Sequence, residues 1–155
     1  MIESRTVLVV GGAGYVGTVL TDALLEHGYR VRVLDNFLYD HFIVGQTMVS
    51  RPRCSVVVGD FRDQSVLGEA LADVTDVVLL GSLVGDPISR KYPDLTWAVN
   101  VEGSKALLDS LNGRQLNRFV FTSTCSNYGM RTTDEPATED SELLLRVAHR
   151  QLRNG

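Results

Sequence analysis

The glycines after the first apolar segment are spaced for phosphate binding. The segment is Gly11-Gly12-Ala13-Gly14-Tyr15-Val16-Gly17, and glycines 11, 14 and 17 form a G-x-x-G-x-x-G pattern. In such a loop the first glycine allows a tight turn, the second lets the backbone approach a pyrophosphate, and the third permits close helix packing. A helix that begins inside the loop adds N–H groups and a partial positive charge. The pattern predicts pyrophosphate binding at Gly14, Tyr15 and Val16, although a glycine-rich turn without a ligand is the alternative.

An acidic residue at the expected distance favours the ligand-binding interpretation. Asp35 lies 18 residues after Gly17, at the end of the second apolar segment. A carboxylate there accepts hydrogen bonds from the adenosine ribose and repels a 2′-phosphate, so it predicts NAD as cofactor in preference to NADP. Asn36 could supply a second ribose contact. We interpret Arg30 and Arg32 as solvated charges at the strand edge.

Short apolar segments that alternate with amphipathic stretches must position these residues. The apolar segments are residues 6–10, 31–34, 54–58, 76–80 and 118–123. Strands that helices cover on both faces have this nearly continuous hydrophobicity. Strand and helix in alternation predict an α/β fold, namely a Rossmann-type doubly wound parallel sheet of about five strands. We assign this domain to residues 1–130.

The amphipathic stretches predict helices and their buried faces. The first helix ends at Gly28, and Asp63 is the predicted N-cap of a later one. A helix over residues 94–111 is expected to bury Trp97 with the rest of its apolar stripe. The predicted buried positions are Val16, Val19, Leu20, Ala23 and Leu24 in the first helix, and Trp97, Val101, Leu108 and Leu111 in the last.

Composition excludes several classes of function. Hydrophobic residues make up 44% and charged residues 22% of 155 residues, which is typical of a folded globular chain. The net charge of −4 argues against nucleic-acid binding, which requires a basic face. Two cysteines are too few for a disulfide framework, and no apolar run approaches a membrane span or a signal peptide. The histidines and cysteines lack metal-ligand spacing. These features predict a cytoplasmic protein without a metal site.

Together with the glycine loop and Asp35-Asn36, four further segments resemble the N-terminal part of a known family. This is the extended short-chain dehydrogenase/reductase family, which comprises the NAD-dependent nucleotide-sugar epimerases and dehydratases. The segments are Gly59-Asp60-Phe61-Arg62-Asp63, Leu80-Gly81-Ser82-Leu83-Val84-Gly85-Asp86-Pro87, Asn100-Val101-Glu102-Gly103-Ser104 and Phe121-Thr122-Ser123-Thr124-Cys125-Ser126-Asn127-Tyr128-Gly129. The resemblance implies that Asp60 and Phe61 contact the adenine, and that Leu80, Gly81 and Ser82 lie along the nicotinamide ribose. It also implies a cofactor-binding role for Asn100 and makes Thr124 the catalytic Ser/Thr.

The resemblance stops before the family's Tyr-x-x-x-Lys pair, whose tyrosine acts as the base. No Tyr follows Tyr128 and no Lys follows Lys105. His149 and Arg153 have helical i, i+4 spacing, but we interpret them as solvated residues of a terminal helix, residues 141–153, within a polar tail, 131–155. The family's C-terminal substrate region is also lacking, so we expect a truncated member.

Three functions remain open at this point. The chain could be an NAD-dependent epimerase/dehydratase acting on a nucleotide sugar, with little activity alone. It could be a catalytically silent NAD-binding or protein-association module. It could also be a non-functional fragment whose open sheet edge is covered by a homodimer or a partner protein.

Overall fold

The computed structural model describes residues 5–39, 42–129 and 136–143. The chain divides into two compact units, Met1–Phe121 and Thr122–Gly155, which are described separately. Within the described residues, no helix is both long enough and apolar enough to cross a membrane.

The first unit is built on a five-stranded sheet in which every pair of neighbouring strands is parallel. The strand order is β3-β2-β1-β4-β5. The bounds are β1 Thr6–Val10, β2 Arg30–Asp35, β3 Cys54–Val58, β4 Asp76–Leu79 and β5 Arg118–Phe121. The order reverses between β1 and β4, which is the doubly wound topology, and the predicted fold and number of strands are confirmed. In this topology ligands bind beyond the carboxyl ends of the strands, at the switch point.

Helices connect the strands. Their bounds are α1 Tyr15–Glu26, α2 Phe42–Val49, α3 Gln64–Ala70, α4 Asp86–Lys91, α5 Pro93–Trp97 and α6 Ser104–Leu111, with a π-helical segment, Ala98–Gly103, between α5 and α6. The predicted N-cap of α3 is confirmed, because the Asp63 carboxylate accepts a hydrogen bond from Ser65 N at 2.8 Å.

Alternate residues of the central strands supply two cores, one on each face of the sheet. Leu8 and Val10 of β1 pack on one face, whereas Val7 and Val9 pack on the other. All four are at most 3% exposed. This burial on both faces explains why the strands are apolar without alternation.

The predicted buried face of α1 is confirmed at Leu20 and Leu24, which are partly buried and pack against one core, but it is wrong at Val16 and Val19. Val16 and Val19 are 60% and 65% exposed, whereas Gly17, Thr21 and Leu25 are buried. The buried stripe follows Gly17 at four-residue intervals, because the glycine lets the start of the helix approach the preceding loop. Helical spacing alone does not distinguish these two adjacent stripes.

The predicted helix over residues 94–111 is helical, and Leu111 packs against a core as predicted, but the rest of its buried face differs. Leu107 and Gly103 are buried, while Trp97 and Leu108 are 42% and 46% exposed. The π-helical segment has more residues per turn than an α-helix, so a stripe drawn at 3.6 residues per turn loses the buried face.

The second unit contains a short 3₁₀ helix, Cys125–Tyr128. Residues 141–143 are not helical, and the remainder of the predicted terminal helix, including His149 and Arg153, lies outside the described residues.

Candidate functional site: a glycine loop and a carboxylate at one cleft

The turn out of β1 is stabilised by close backbone packing. Gly11 has a φ of +78°, and its N–H donates to Leu34 O of β2 at 2.8 Å. A Cβ at this position would lie 2.6 Å from Gly81 N. Because no side chain tolerates that approach, Gly11 brings the glycine loop against the loop that follows β4.

Gly17 packs against the glycine loop itself. A Cβ at Gly17 would lie 2.5 Å from Gly11 O and 2.6 Å from Gly12 Cα. The sequence pattern predicts close approach of helix to sheet at this glycine, and the contact is with the backbone that leads out of the sheet. Gly17 is therefore required by the protein's own packing.

Gly14 differs, because little of the protein crowds it. Only Gly11 O, at 3.3 Å, lies within 4 Å of a Cβ placed there. Gly14 is the N-cap of α1, where no side chain caps the helix and the first turn carries no acidic residue. This part of the described chain therefore presents a helix N-terminus with an open approach, which suits an anionic ligand.

The Asp35 carboxylate joins the glycine loop to the loop after β2. Its Oδ2 accepts a hydrogen bond from Ala13 N at 3.0 Å, and its Oδ1 accepts one from Phe37 N at 2.8 Å. A carboxylate oxygen can accept more than one hydrogen bond, so Asp35 retains acceptor capacity for ribose hydroxyls. Asn36 is used locally, with its Oδ1 accepting from Leu38 N at 3.1 Å.

A cleft of about 150 Å³ lies where these groups converge. It brings together residues predicted from the sequence, namely Gly11, Gly14, Asp35, Asn36, Phe61, Leu80, Gly81 and Ser82. The remaining lining residues are Leu34, Leu38, Tyr39, Gly59, Leu83 and Val99. Gly59 and Leu83 belong to segments that carry the resemblance, and sequence reasoning missed the other four. Leu38 and Tyr39 could have been found, because a loop that leaves β2 after Asp35 must begin at this end of the sheet.

Asn100, at the π-helical segment, clamps the loop after β4. Its Oδ1 accepts from Leu83 N at 2.8 Å, and its Nδ2 donates to Leu83 O at 2.8 Å. Both ends of the amide therefore bind one residue of the loop that lines the cleft. The geometry gives Asn100 a positioning role, and direct contact with a cofactor stays a prediction.

Asp60 and Phe61 lie in different surroundings. Phe61 is 8% exposed and lines the cleft. Asp60 lines a second depression, of about 480 Å³, together with Arg62 and Glu102. The Arg62 guanidinium donates from Nε to both Asp60 oxygens at 3.0 Å and from Nη2 to Oδ2 at 2.6 Å. This bonding lowers the pKa of Asp60 and keeps the carboxylate ionised.

Two further predictions concern Thr124 and the arginines of β2. Thr124 caps the 3₁₀ helix of the second unit, where its Oγ1 accepts from Ser126 N at 3.2 Å. Its catalytic role stays a prediction. Arg30 is exposed, as expected. The interpretation of Arg32 as a solvated charge is wrong, because its Nη1 donates to the carbonyls of Ala70, at 3.0 Å, and Ala72.

The described residues contain no group of three or more His, Cys, Asp or Glu side chains that could hold a metal ion. Cys54 is half-buried and its pKa is raised by burial, while Cys125 is exposed. The chemistry of the cleft therefore rests on backbone N–H groups, a carboxylate and small residues.

A doubly wound parallel sheet, a glycine loop at its switch point and a carboxylate at the end of β2 define the dinucleotide-binding class of α/β folds. The family model of the NAD-dependent epimerase/dehydratase family matches residues 7–149. The chain belongs to that family, and NAD, the cofactor predicted from the sequence, is the cofactor of the family.

Individual relatives agree with this assignment. UDP-glucose 4-epimerase from Corynebacterium glutamicum is 36% identical over 135 residues, which cover 86% of this chain and 39% of the relative. A 3-beta-hydroxysteroid dehydrogenase from Mycolicibacterium neoaurum is 31% identical over 77% of this chain and 32% of the relative. The structure of UDP-glucuronic acid 4-epimerase from Bacillus cereus, in complex with UDP-glucuronic acid and NAD, is similar with a TM-score of 0.82 at 25% identity. That match covers 90% of this chain and 46% of the epimerase.

The chain thus spans less than half of the length of each of these proteins. The residues that the family model matches, 7–149, include the glycine loop, Asp35 and all but the first residue of the sheet.

Proposed function

We propose that this chain binds NAD in the cleft formed by the glycine loop, the loop after β2 and the loop after β4. The observation that carries the proposal is that Asp35 and Gly14 line one cleft, beside a helix N-terminus that no side chain caps. Phosphate affinity and ribose recognition therefore coincide at the switch point of the sheet.

Each part of the cofactor has a proposed set of contacts. The pyrophosphate lies at Gly14, Tyr15 and Val16, whose backbone begins α1. The adenosine ribose is held by Asp35 with Asn36, and the adenine by Asp60 and Phe61. The nicotinamide ribose lies along the small residues Leu80-Gly81-Ser82, whose loop Asn100 holds through Leu83. Gly17 acts indirectly, by allowing α1 to start against the loop.

The proposed activity is that of an NAD-binding protein resembling nucleotide-sugar epimerases and dehydratases, with little turnover from these 155 residues alone. When bound, NAD supplies a hydride acceptor for the oxidation of a substrate hydroxyl. Thr124 would orient that hydroxyl, but its own hydroxyl is a poor base at neutral pH. The sequence has no Tyr after Tyr128 and no Lys after Lys105 to remove the proton. A nucleotide sugar is the proposed substrate class, which the epimerase relatives support.

The second candidate is a catalytically silent module that binds NAD and associates with another protein. The exposed edge strand β5 favours it. Val120 and Phe121 of β5 are 46% and 58% exposed. A homodimer or a partner protein could cover this edge. Sedimentation velocity tests this candidate, because a chain that covers its β5 edge with a second copy sediments as a dimer, and a chain that remains a monomer contradicts self-association.

Titration calorimetry tests the NAD site. We expect the chain to bind NAD, more weakly after Asp35→Ala and more weakly still after Gly14→Val, which places a branched side chain where the pyrophosphate must approach. Asp109→Ala is the control, because it removes an exposed carboxylate from α6. A folded chain that shows no heat with millimolar NAD would contradict the proposal.

A further inference from the structure

Residues 36–39 follow β2, and Asn36, Leu38 and Tyr39 line the cleft, whereas Phe37 between them has an unusual backbone conformation. Phe37 has a φ of +53°. Bulky side chains rarely adopt this left-handed region, and such residues persist only where the surrounding structure holds them. Its neighbours Leu38 and Tyr39 line the cleft and are 56% and 53% exposed.

The Phe37 ring packs against a glycine of α2. A Cβ at Gly45 would lie 2.6 Å from Cζ and 2.7 Å from Cε1 of that ring. The ring therefore occupies the space that a side chain at position 45 would need. Phe37 is 9% exposed and Gly45 is buried, so the ring has little room to move aside.

The backbone of the same residue is bonded to the ribose-reading carboxylate. Phe37 N donates to Asp35 Oδ1 at 2.8 Å, while Ala13 N of the glycine loop donates to Asp35 Oδ2 at 3.0 Å. A displacement of the Phe37 ring would move the backbone of Phe37. Through the hydrogen bond of Phe37 N it would also move the Asp35 carboxylate.

We propose that Phe37 and Gly45 form a positioning pair that sets the orientation of Asp35, so that preference for NAD over NADP depends on a glycine outside the cleft. Neither Phe37 nor Gly45 is among the described residues that line the cleft. The inference rests on the proposed NAD site. It adds the pair to that site as a determinant of cofactor selectivity.

Gly45→Ala tests the pair in the full chain, with Gly68→Ala as the matched control. Both replace a helical glycine with alanine, but a Cβ at Gly68 meets nothing within 4 Å. For Gly45→Ala we expect an NAD affinity about tenfold lower, which is about 1.4 kcal/mol of binding free energy, because the new methyl group displaces the Phe37 ring and with it the Asp35 carboxylate. The ratio of NAD to NADP affinity should also fall, because Asp35 no longer faces the 2′ position correctly. Gly68→Ala should leave both quantities unchanged.

Phe37→Ala provides a second route to the same answer. By itself, Phe37→Ala should lower the ratio of NAD affinity to NADP affinity. Adding Gly45→Ala should not change that ratio further, because the ring that the new methyl group would meet is absent. This coupling keeps the test valid if Gly45→Ala alone does not fold.

The outcomes separate the two proposals. If the unmodified chain binds NAD but Gly45→Ala and Phe37→Ala lower NAD and NADP affinity by equal factors, the pair is only structural and the inference is wrong. Equal behaviour of Gly45→Ala and Gly68→Ala would also overturn it. No NAD binding by the unmodified chain would overturn the proposed function together with this inference.

Discussion

Asp35 combines a structural and a recognition role in one carboxylate. Its two oxygens accept hydrogen bonds from the glycine loop and from Phe37 N. The cleft is therefore held together by the same group that is proposed to read the ribose. Changes at this residue should alter selectivity and stability together, whereas changes at Gly14 should alter binding alone.

At this residue, Asp35→Gly should reduce NAD affinity about 10- to 100-fold, the usual value of a hydrogen bond to a charged group. NADP affinity should fall less, because the negative charge facing its 2′-phosphate is removed. Calorimetry with both cofactors measures the ratio, and a thermal melt reports the accompanying loss of stability. Tighter binding of NADP than NAD by the unmodified chain would contradict the predicted preference for NAD. It would indicate that Arg30 binds the 2′-phosphate, since Arg32 is bonded to the carbonyls of Ala70 and Ala72.

At the scale of elements, different glycines at the start of α1 are expected to contribute to folding and to binding. Gly17 is packed against loop backbone, whereas Gly14 meets only one atom within 4 Å. The loop is thus shaped by one glycine and left accessible by another.

This division predicts opposite effects for two substitutions. Gly17→Ala should destabilise the fold by about 1–3 kcal/mol, the range for overpacking, because its Cβ would clash with backbone atoms. Gly14→Val should retain most of the stability while NAD binding is lost. Urea unfolding and calorimetry on both variants measure the two effects. The assignment is wrong if Gly17→Ala is as stable as the parent chain.

A charged pair joins β1 and β4 at the end of the strands away from their carboxyl termini. Asp76, the first residue of β4, accepts from Nε of Arg5 at 3.0 Å and from the Thr75 hydroxyl at 2.7 Å. Burial on its own raises the pKa of Asp76, but the hydrogen bonds from Arg5 and Thr75 outweigh it and the net pKa is lowered. Asp76 is 5% exposed, whereas the Arg5 side chain is 29% exposed, so the pair lies at the border between the sheet's interior and solvent.

A lowered folded-state pKa means that the contribution of Asp76 is present above its unfolded pKa, near 4, and is lost as the pH falls through the lower folded value. We expect Asp76→Asn to cost about 1–3 kcal/mol at neutral pH, as for loss of a buried charged hydrogen-bond partner. The cost should shrink below about pH 4. Unfolding measured from pH 7 to pH 3 checks this, and a cost that does not vary with pH would contradict it.

At the scale of the whole molecule, the proposed NAD cleft and the predicted catalytic Thr124 belong to different units, Met1–Phe121 and Thr122–Gly155. The first unit is a five-stranded sheet with its own two cores. The relatives that share it are more than twice as long as the matched part. NAD binding is therefore a property that the first unit should show without the remainder of a relative's length.

Turnover should behave differently from binding. We expect little or no epimerase or dehydratase activity from the 155 residues, because general acid–base assistance is worth roughly 10²–10⁴ in rate and its usual tyrosine is missing from this sequence. The assay supplies UDP- and dTDP-sugars and follows NADH absorbance and product. Measurable turnover that is abolished by both Thr124→Ala and His149→Ala would show that a histidine replaces the tyrosine. Turnover that survives both variants would indicate a contaminating enzyme.

The strands, their order of occurrence and the nucleotide loop are determined by local sequence. Parallel strands covered on both faces must be apolar at nearly every position, so residues 6–10 and 54–58 are recognisable without their neighbours. The spacing of Gly11, Gly14 and Gly17, followed by Asp35, likewise reflects a backbone requirement that acts within one βαβ unit. The sheet and the glycine loop could therefore be predicted from the sequence alone.

Only the tertiary structure shows which side chains hold the loops and helices in place around the sheet. Asn100 binds Leu83 across 17 residues, Arg32 reaches the Ala70 carbonyl across 38, and the Phe37 ring selects Gly45 in a different element. Such contacts depend on how helices and loops cross the sheet, and hydrophobic periodicity carries no information about that crossing. The same limit explains the errors at Val16 and Val19 of α1, since the close approach at Gly17 decides which residues of the helix face the protein and the spacing of apolar residues does not reveal it.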